Sequence, residues 1–302
     1  MQSIEADVAI IGAGPAGLQA AIHSARRKVR TVVIGRPEQG ALFKAEIENY
    51  LGIPKISGQE MVKIGLEQAK KAGAMVHEED VMKAEKVGDL FVLETDHDRK
   101  ITAKSIILAP GISRTKLNVE GEKEFLGRGV SYCAACDANF FKGKKVAVVG
   151  NDSMAAVSTV LMTNFASDVY WVTKEPKVAP PLMEKVNATK AKVLKGGWPK
   201  KVHGEQKVNK LELADGQMLE VDGVFIELGA RGSADLAMEL GILPDPSGRI
   251  NVNGKMETEV PGVFAAGDVT GRPWQLARAV GQGCIAGTNA AKFALYGPGD
   301  LE

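Results

Sequence analysis

Residues 6–34 read ADVAIIGAGPAGLQAAIHSARRKVRTVVI, and the fold turns on this stretch. An apolar run, 6–11, ends in Gly12-Ala13-Gly14-Pro15-Ala16-Gly17, a G-x-G-x-x-G. LQAAIHSARR follows at helical spacing, and TVVI (31–34) is a second apolar run. Strand, glycine-rich loop, helix and strand, in that order, are the context in which the motif binds a dinucleotide. Gly12 permits the tight turn, Gly14 lets the backbone approach a pyrophosphate, and Gly17 lets the helix pack on the strand. The unpaired N–H groups of the helix N-terminus then face the phosphates. One part of the pattern is missing. The acid expected about 20 residues on, for a ribose hydroxyl, is replaced by Gly35-Arg36, and Glu38 is the nearest carboxylate.

The composition sets outer limits. Lys plus Arg is 38 and Asp plus Glu is 37, a near-zero balance that argues against a nucleic-acid binder. A chain of 302 residues with 45% hydrophobic residues and 34 glycines fits a two-domain α/β protein rich in tight turns. No apolar run reaches the roughly 18 residues of a membrane span. The start, MQSIEAD, lacks the basic and apolar segments of a targeting signal, so a cytoplasmic protein without membrane attachment is expected.

Two further segments carry chemistry. VPGVFAAGDVTG (260–271) runs from an apolar strand into Gly267-Asp268, and ARAVGQGCIAGTNAAKFAL (277–295) reads as a helix of small residues able to lie close to a flat ligand. VSYCAACDANFF (130–141) places Cys133 and Cys136 three apart, a spacing that can close a small disulfide and, at a helix N-terminus, lower a thiol pKa. The metal alternative wants a second C-x-x-C or a His pair. His23, His77, His97 and His203 are scattered, so no metal is expected. Cys284 reads as a buried small apolar residue.

With these residues in view, the chain resembles, over essentially its whole length, the low-molecular-weight thioredoxin reductases among the flavin-dependent pyridine nucleotide–disulfide oxidoreductases. G-x-G-P-A-G, the midway turn Ala109-Pro110-Gly111, C-A-A-C-D and the late Gly-Asp carry the likeness. It implies two Rossmann-like three-layer α/β domains, a homodimer, FAD as cofactor and thioredoxin or a thioredoxin-like protein as partner. It implies FAD contacts at Gly12, Gly14, Pro15, Ala16, Gly17, Glu38, Asn49, Val81, Ala109, Gly111, Gly267, Asp268, Gln275 and Leu276. Asp268 would hold the ribitol, and Gln275 would lie by the isoalloxazine. The family's Arg-Gln-Ala at that last point is Trp274-Gln275-Leu276 here. Cys136 would face the flavin, Cys133 would attack the partner's disulfide, and Asp137 would protonate the leaving thiolate.

The domain plan follows. Residues 1–110 and 244–302 would form the FAD domain, resuming after the breaker GILPDP. Residues 111–243 would form an inserted nicotinamide-type domain that carries the C-x-x-C and repeats the first unit: strand KKVAVVG, a helix to about 165, strand DVYWVT.

The insert's own nucleotide loop departs from the family's G-x-G-x-x-A. It reads Gly150-Asn151-Asp152-Ser153-Met154-Ala155. Asp152 replaces the middle glycine, and each pairing of its charge with a phosphate costs several kcal/mol at short range. The His-Arg-Arg that holds a 2′-phosphate in NADPH-using members is Thr173-Lys174-Glu175-Pro176-Lys177 here, and their G-H-x-P-N turn is Gly229-Ala230-Arg231-Gly232-Ser233. The sequence thus resembles the family's groups without NADPH motifs, ferredoxin-dependent or deeply rooted cyanobacterial. Residues 170–210 hold ten Lys against three Glu, a basic surface suited to an acidic ferredoxin. An NADPH enzyme with altered motifs, or an FAD dithiol oxidase using O2, are the alternatives.

Overall fold

A computed structural model describes residues 2–111, 116–228, 233–245 and 248–299. The chain divides into two compact units, Met1–Ile112 with Arg231–Glu302, and Ser113–Ala230.

In the first unit five parallel strands lie in the order Val263–Ala265, Ser105–Leu108, Val8–Ile11, Thr31–Ile34 and Met75–His77. The middle three are buried at every position, as parallel strands covered on both faces must be. Successive side chains point to opposite faces. Val8, Ile10, Val33 and Ile107 pack with the helices Pro15–Arg26 and Leu276–Tyr296. Ala9, Ile11, Val32 and Ile34 pack instead against a second sheet, Gln2–Glu5, Arg99–Ala103, Leu90–Thr95 and Val81–Val87. The result is the expected three-layer α/β arrangement, with the glycine-rich loop at the carboxyl edge of the central strand.

The second crossing between units falls at 230/231, ahead of the 243/244 position read from GILPDP. The helix Ser233–Glu239 lies in between. Its Leu236 and Ala237, with Leu240 and Ile242 beyond it, are buried in the first unit's core, and Glu239 Oε2 accepts the Ala84 N–H (3.0 Å). Burial of apolar side chains, rather than the proline breaker, assigns this segment.

Arg36, standing where a ribose-binding acid was expected, belongs to the same interlayer packing. Its Nε donates to Asp80 Oδ2 (3.1 Å) and its Nη2 to Asp96 Oδ2 (2.6 Å). The Asp80 N–H also donates to Asp96 Oδ1 (2.9 Å). The guanidinium is committed to two buried carboxylates at the ends of strands in the second sheet.

The small residues of 276–296 serve helix packing. A Cβ at Gly283 would strike the Ala16 carbonyl, and one at Gly287 the Ala20 carbonyl. Ser24 Oγ donates to the Gly287 carbonyl (3.0 Å).

The second unit repeats the plan. Its parallel sheet runs Val130–Ser131, Gly223–Ile226, Lys145–Val149, Asp168–Thr173 and Lys192–Lys195. The helices Ser153–Met162 and Pro180–Asn187 cover one face. The antiparallel sheet Pro199–Gly204, Val208–Leu213 and Met218–Glu220 covers the other.

Gly287→Leu is expected to lose about 1–3 kcal/mol of unfolding free energy, by overpacking against Ala20. Gly281→Ala, on the same helix but with open space at its Cβ, is expected to gain about 0.5–1 kcal/mol. Denaturant melts of the two variants check the contrast.

Candidate functional site

The first loop is shaped to receive a ligand. Gly12 has φ +112, and a Cβ there would strike the Ala109 carbonyl. A Cβ at Gly17 would strike the Gly12 carbonyl, so the helix Pro15–Arg26 starts hard against the strand end. Gly14, its N-cap, carries no side-chain cap, and a Cβ there would meet nothing within 4 Å. Open space faces an uncapped helix N-terminus with Pro15 in its first turn, which is the form of a phosphate site.

The fold brings distant candidates to this loop. Ala109 donates its N–H to the Ile11 carbonyl (2.8 Å) and lies against Gly12, while a Cβ at Gly267 would come 3.0 Å from Ala16 Cβ. Asn49 Nδ2 donates to Gln275 Oε1 (3.2 Å), joining two candidates 226 residues apart. Gln275 is the exposed N-cap of the last helix, and Leu276 is its first residue. Gly111 has φ +74. Glu38 is exposed in a short turn, and Val81 is buried at the start of its strand; neither is drawn to the loop by a contact comparable to those of Ala109 or Gly267. Trp274 stacks under Arg272, with 4.3 Å from guanidinium carbon to ring centroid.

Asp268 follows Gly267, whose N–H donates to Gln282 Oε1 (2.9 Å). Arg278 closes the turn from the other side, donating to the Gly271 carbonyl (2.7 Å) and Thr270 Oγ1 (2.8 Å). Burial pushes the Asp268 carboxyl above its ordinary range, and the Arg278 charge opposes the shift in part. A half-buried carboxylate held beside an open loop fits a polyhydroxyl chain that would donate to it. The residues present therefore fit FAD.

In the second unit Cys133 is disulfide-bonded; Cys284, on the last helix of the first unit, is a half-buried free thiol. The side chain of Cys136 lies outside the described residues. Cys133 precedes a four-residue helix, Ala134–Asp137. Three neighbours that the sequence reading did not single out build its surroundings. Ser131 Oγ accepts the Cys133 N–H (3.0 Å) and donates to Asp137 Oδ2 (2.7 Å). Glu227, 8% exposed, accepts the Ala134 N–H (3.1 Å) and the Ser158 hydroxyl (2.8 Å) at Oε1. Buried Glu122 accepts the Tyr132 hydroxyl (2.6 Å) and the Leu117 N–H (2.9 Å) at Oε1. Burial and that carboxylate push the Tyr132 phenol pKa well up.

The second nucleotide-type loop is closed by its own side chains. Asn151 Oδ1 accepts from Thr173 Oγ1 (3.0 Å) and from the Lys174 N–H (2.9 Å), and its carbonyl accepts the Lys177 N–H (2.6 Å). The loop is thereby tied to the strand end where 2′-phosphate ligands would stand. Asp152 is the N-cap residue of Ser153–Met162 and makes no side-chain cap hydrogen bond; it brings a carboxylate of the chain to the end of the helix that favours an anion. A Cβ at Gly150 would strike the Glu227 carbonyl, which preserves the tight turn. Residues 229–232 of the altered turn lie outside the described residues. Lys174 lies over the Trp198 ring at 4.7 Å, and nine of the ten lysines between 170 and 210 are exposed. Among the described residues no group of three or more His, Cys, Asp or Glu could hold a metal, and no helix is long and apolar enough to cross a membrane.

Residues 6–283 match the family model of pyridine nucleotide-disulphide oxidoreductases. The chain is similar to a thioredoxin reductase of Aquifex aeolicus, 41% identical over 304 residues that cover 96% of this chain and 91% of that protein. Among solved structures it is similar to the atypical thioredoxin reductase TRi from Desulfovibrio vulgaris Hildenborough, with TM-score 0.80, 31% identity and coverage of 96% and 98%. It is also similar to a ferredoxin-flavin thioredoxin reductase from Clostridium acetobutylicum, with TM-score 0.70, 34% identity and coverage of 98% and 100%.

Asp268 yields a prediction with a defined sign. A carboxyl raised by burial costs the folded state stability once ionised. The cost is absent below the ordinary carboxylate pKa and sets in as pH rises through it. Asp268→Asn should therefore retain less flavin, yet as apoprotein melt higher than the parent apoprotein at pH 7. The advantage should fade below about pH 4. Flavin-to-protein absorbance ratios and melts across pH check both halves.

Proposed function

The chain belongs to the pyridine nucleotide-disulphide oxidoreductase family, and on that premise we propose that it is a thioredoxin reductase whose electrons come from ferredoxin rather than NADPH. It is an FAD-dependent thiol–disulfide oxidoreductase. Bound FAD supplies the electron carrier between the donor and the protein disulfide.

Gly12, Gly14, Pro15, Ala16 and Gly17 would hold the pyrophosphate, with Ala109, Gly111, Glu38 and Val81 bordering the nucleotide. Asp268 would take the ribitol hydroxyls and Gly267 would let the backbone approach them. Asn49, Gln275 and Leu276 would border the flavin ring. Cys133 attacks one sulfur of the partner's disulfide, forming a mixed disulfide and expelling the other sulfur as a thiolate, which Asp137 protonates. Cys136 then attacks the mixed disulfide, restoring the enzyme's own disulfide and releasing the partner's second thiol. Ser131 aims Asp137, through the 2.7 Å hydrogen bond between them.

The observation that carries the choice of donor is the Asn151–Asp152 loop. A dinucleotide would have to set its pyrophosphate beside the Asp152 carboxylate, at a loop that Asn151 ties to Thr173, Lys174 and Lys177. The exposed lysines of 170–210 support an acidic protein donor instead. The Clostridium acetobutylicum relative is named for ferredoxin as well as flavin.

Anaerobic mixing of the holoenzyme with NADPH, NADH and photoreduced ferredoxin, followed by visible absorbance, decides the donor. Ferredoxin is expected to bleach the flavin at least about 100-fold faster than either nicotinamide, the margin that a few kcal/mol of charge repulsion implies. Rapid bleaching by NADPH would overturn the reading. Asp137→Asn is expected to lower thioredoxin turnover by about 100-fold and Ser131→Ala by about tenfold, with flavin reduction by the donor unchanged, as suits a general acid and the residue that aims it.

A further inference from the structure

Glu227 lies outside the chemistry above, yet it joins the redox turn to the strand and helix beside it. It directly follows the buried strand Gly223–Ile226. Its N–H donates to the Val149 carbonyl (2.8 Å), and its own carbonyl fills the space a Cβ at Gly150 would need. Its side chain reaches the amide of Ala134, peptide-bonded to Cys133, at 3.1 Å and the hydroxyl of buried Ser158 at 2.8 Å. Both donors converge on Oε1. Ala134 is also the first residue of the short helix after Cys133, so one of the unpaired N–H groups of this helix start is already engaged by the Glu227 carboxyl.

We propose that Glu227 is a positioning residue that sets the reduction potential of the Cys133 disulfide, making the couple more strongly reducing. A negative charge at this amide opposes thiolate character in the reduced turn and leaves the disulfide form little affected. Couples whose reduced form is stabilised are oxidising, and removing that stabilisation does the reverse. The proposal rests on the Cys133 disulfide being the working redox couple and is independent of which donor or thioredoxin is used.

Dithiothreitol buffers test it. One dithiothreitol closes to its cyclic disulfide and delivers two electrons and two protons; the protein S–S bond breaks and two thiols result. The holoenzyme is equilibrated anaerobically across such buffers and alkylated, and the reduced fraction of the Cys133 peptide is read by mass. Glu227→Gln keeps an acceptor for Ala134 and Ser158 but removes the charge. It is expected to shift the equilibrium about tenfold toward the dithiol, about 30 mV. Ser158→Ala keeps the charge and removes one neutralising donor, and is expected to shift the equilibrium a few-fold the opposite way. A merely structural residue would lower the melting temperature in both variants without these opposed shifts. The proposal is overturned if Glu227→Gln stays within about twofold of the parent, or if both variants shift in one direction. Should Glu227→Gln fail to fold, Ser158→Ala decides alone: a shift toward the disulfide supports the proposal, and an unchanged or reversed equilibrium overturns it. Loss of thioredoxin turnover with the expected equilibrium shifts intact would count against the proposed function and leave the role of Glu227 standing.

Discussion

The helices Pro15–Arg26 and Leu276–Tyr296 meet backbone to backbone, with Gly283 against Ala16 and Gly287 against Ala20. That contact joins the two ends of the chain. It fixes the uncapped N-terminus of the first helix relative to the Gly267-Asp268 turn, so the proposed phosphate and ribitol ends of one extended cofactor would be held by a single rigid pair. The strand order supports the same junction, since Ser105–Leu108 pairs with Val8–Ile11 on one side and Val263–Ala265 on the other. Side chains at the two glycines would force the helices apart and misalign both sites at once.

The two units follow one architectural plan and reach opposite chemical outcomes at their loops. In the first, Gly14 leaves open space before an uncapped helix. In the second, Asp152 stands at the helix end and Asn151 is bonded across to Thr173 and Lys174. The strand, turn and helix persist because Gly150 still packs against the Glu227 carbonyl and Trp171 Nε1 still donates to the Gly150 carbonyl (2.8 Å). The core beneath the second loop, with Val146, Val148 and Phe225 buried, is packed by the sheet and its helices and would not need a ligand at the loop.

How far the sequence disclosed this depends on the range of the interaction. TVVI at 31–34 is a strand with those same limits, and the last helix runs 276–296 where 277–295 was read. Local apolar periodicity and glycine punctuation decide such elements. The boundary read at 243/244 differs from the 230/231 division for a related reason: a proline breaker is visible in one dimension, whereas the burial of Leu236 in the core that also holds Ile11 and Ile34 is not. The small residues of the last helix read as a face for a flat ligand, whereas Gly283 and Gly287 are turned to the first helix, against Ala16 and Ala20.

The carboxylates around the redox turn show the limit most sharply. Asp137 is singled out in the sequence by its place in C-A-A-C-D. Glu227 acts 93 residues from Ala134, and nothing in GVFIELG marks it. Nor does the stretch around Glu122 mark it, though that side chain reaches Tyr132 and the Leu117 amide. A lone glutamate ending a buried strand would read as a solvated boundary residue. Its burial at 8% changes that, because a buried carboxylate must find donors or forfeit its solvation. Among the donors it finds are an amide of the redox turn and a hydroxyl of the neighbouring helix. The helix N-terminus expected to lower a cysteine pKa is therefore a turn whose first amide already serves an anion, so this disulfide's chemistry is set by the strand beneath it as well as by the C-x-x-C spacing.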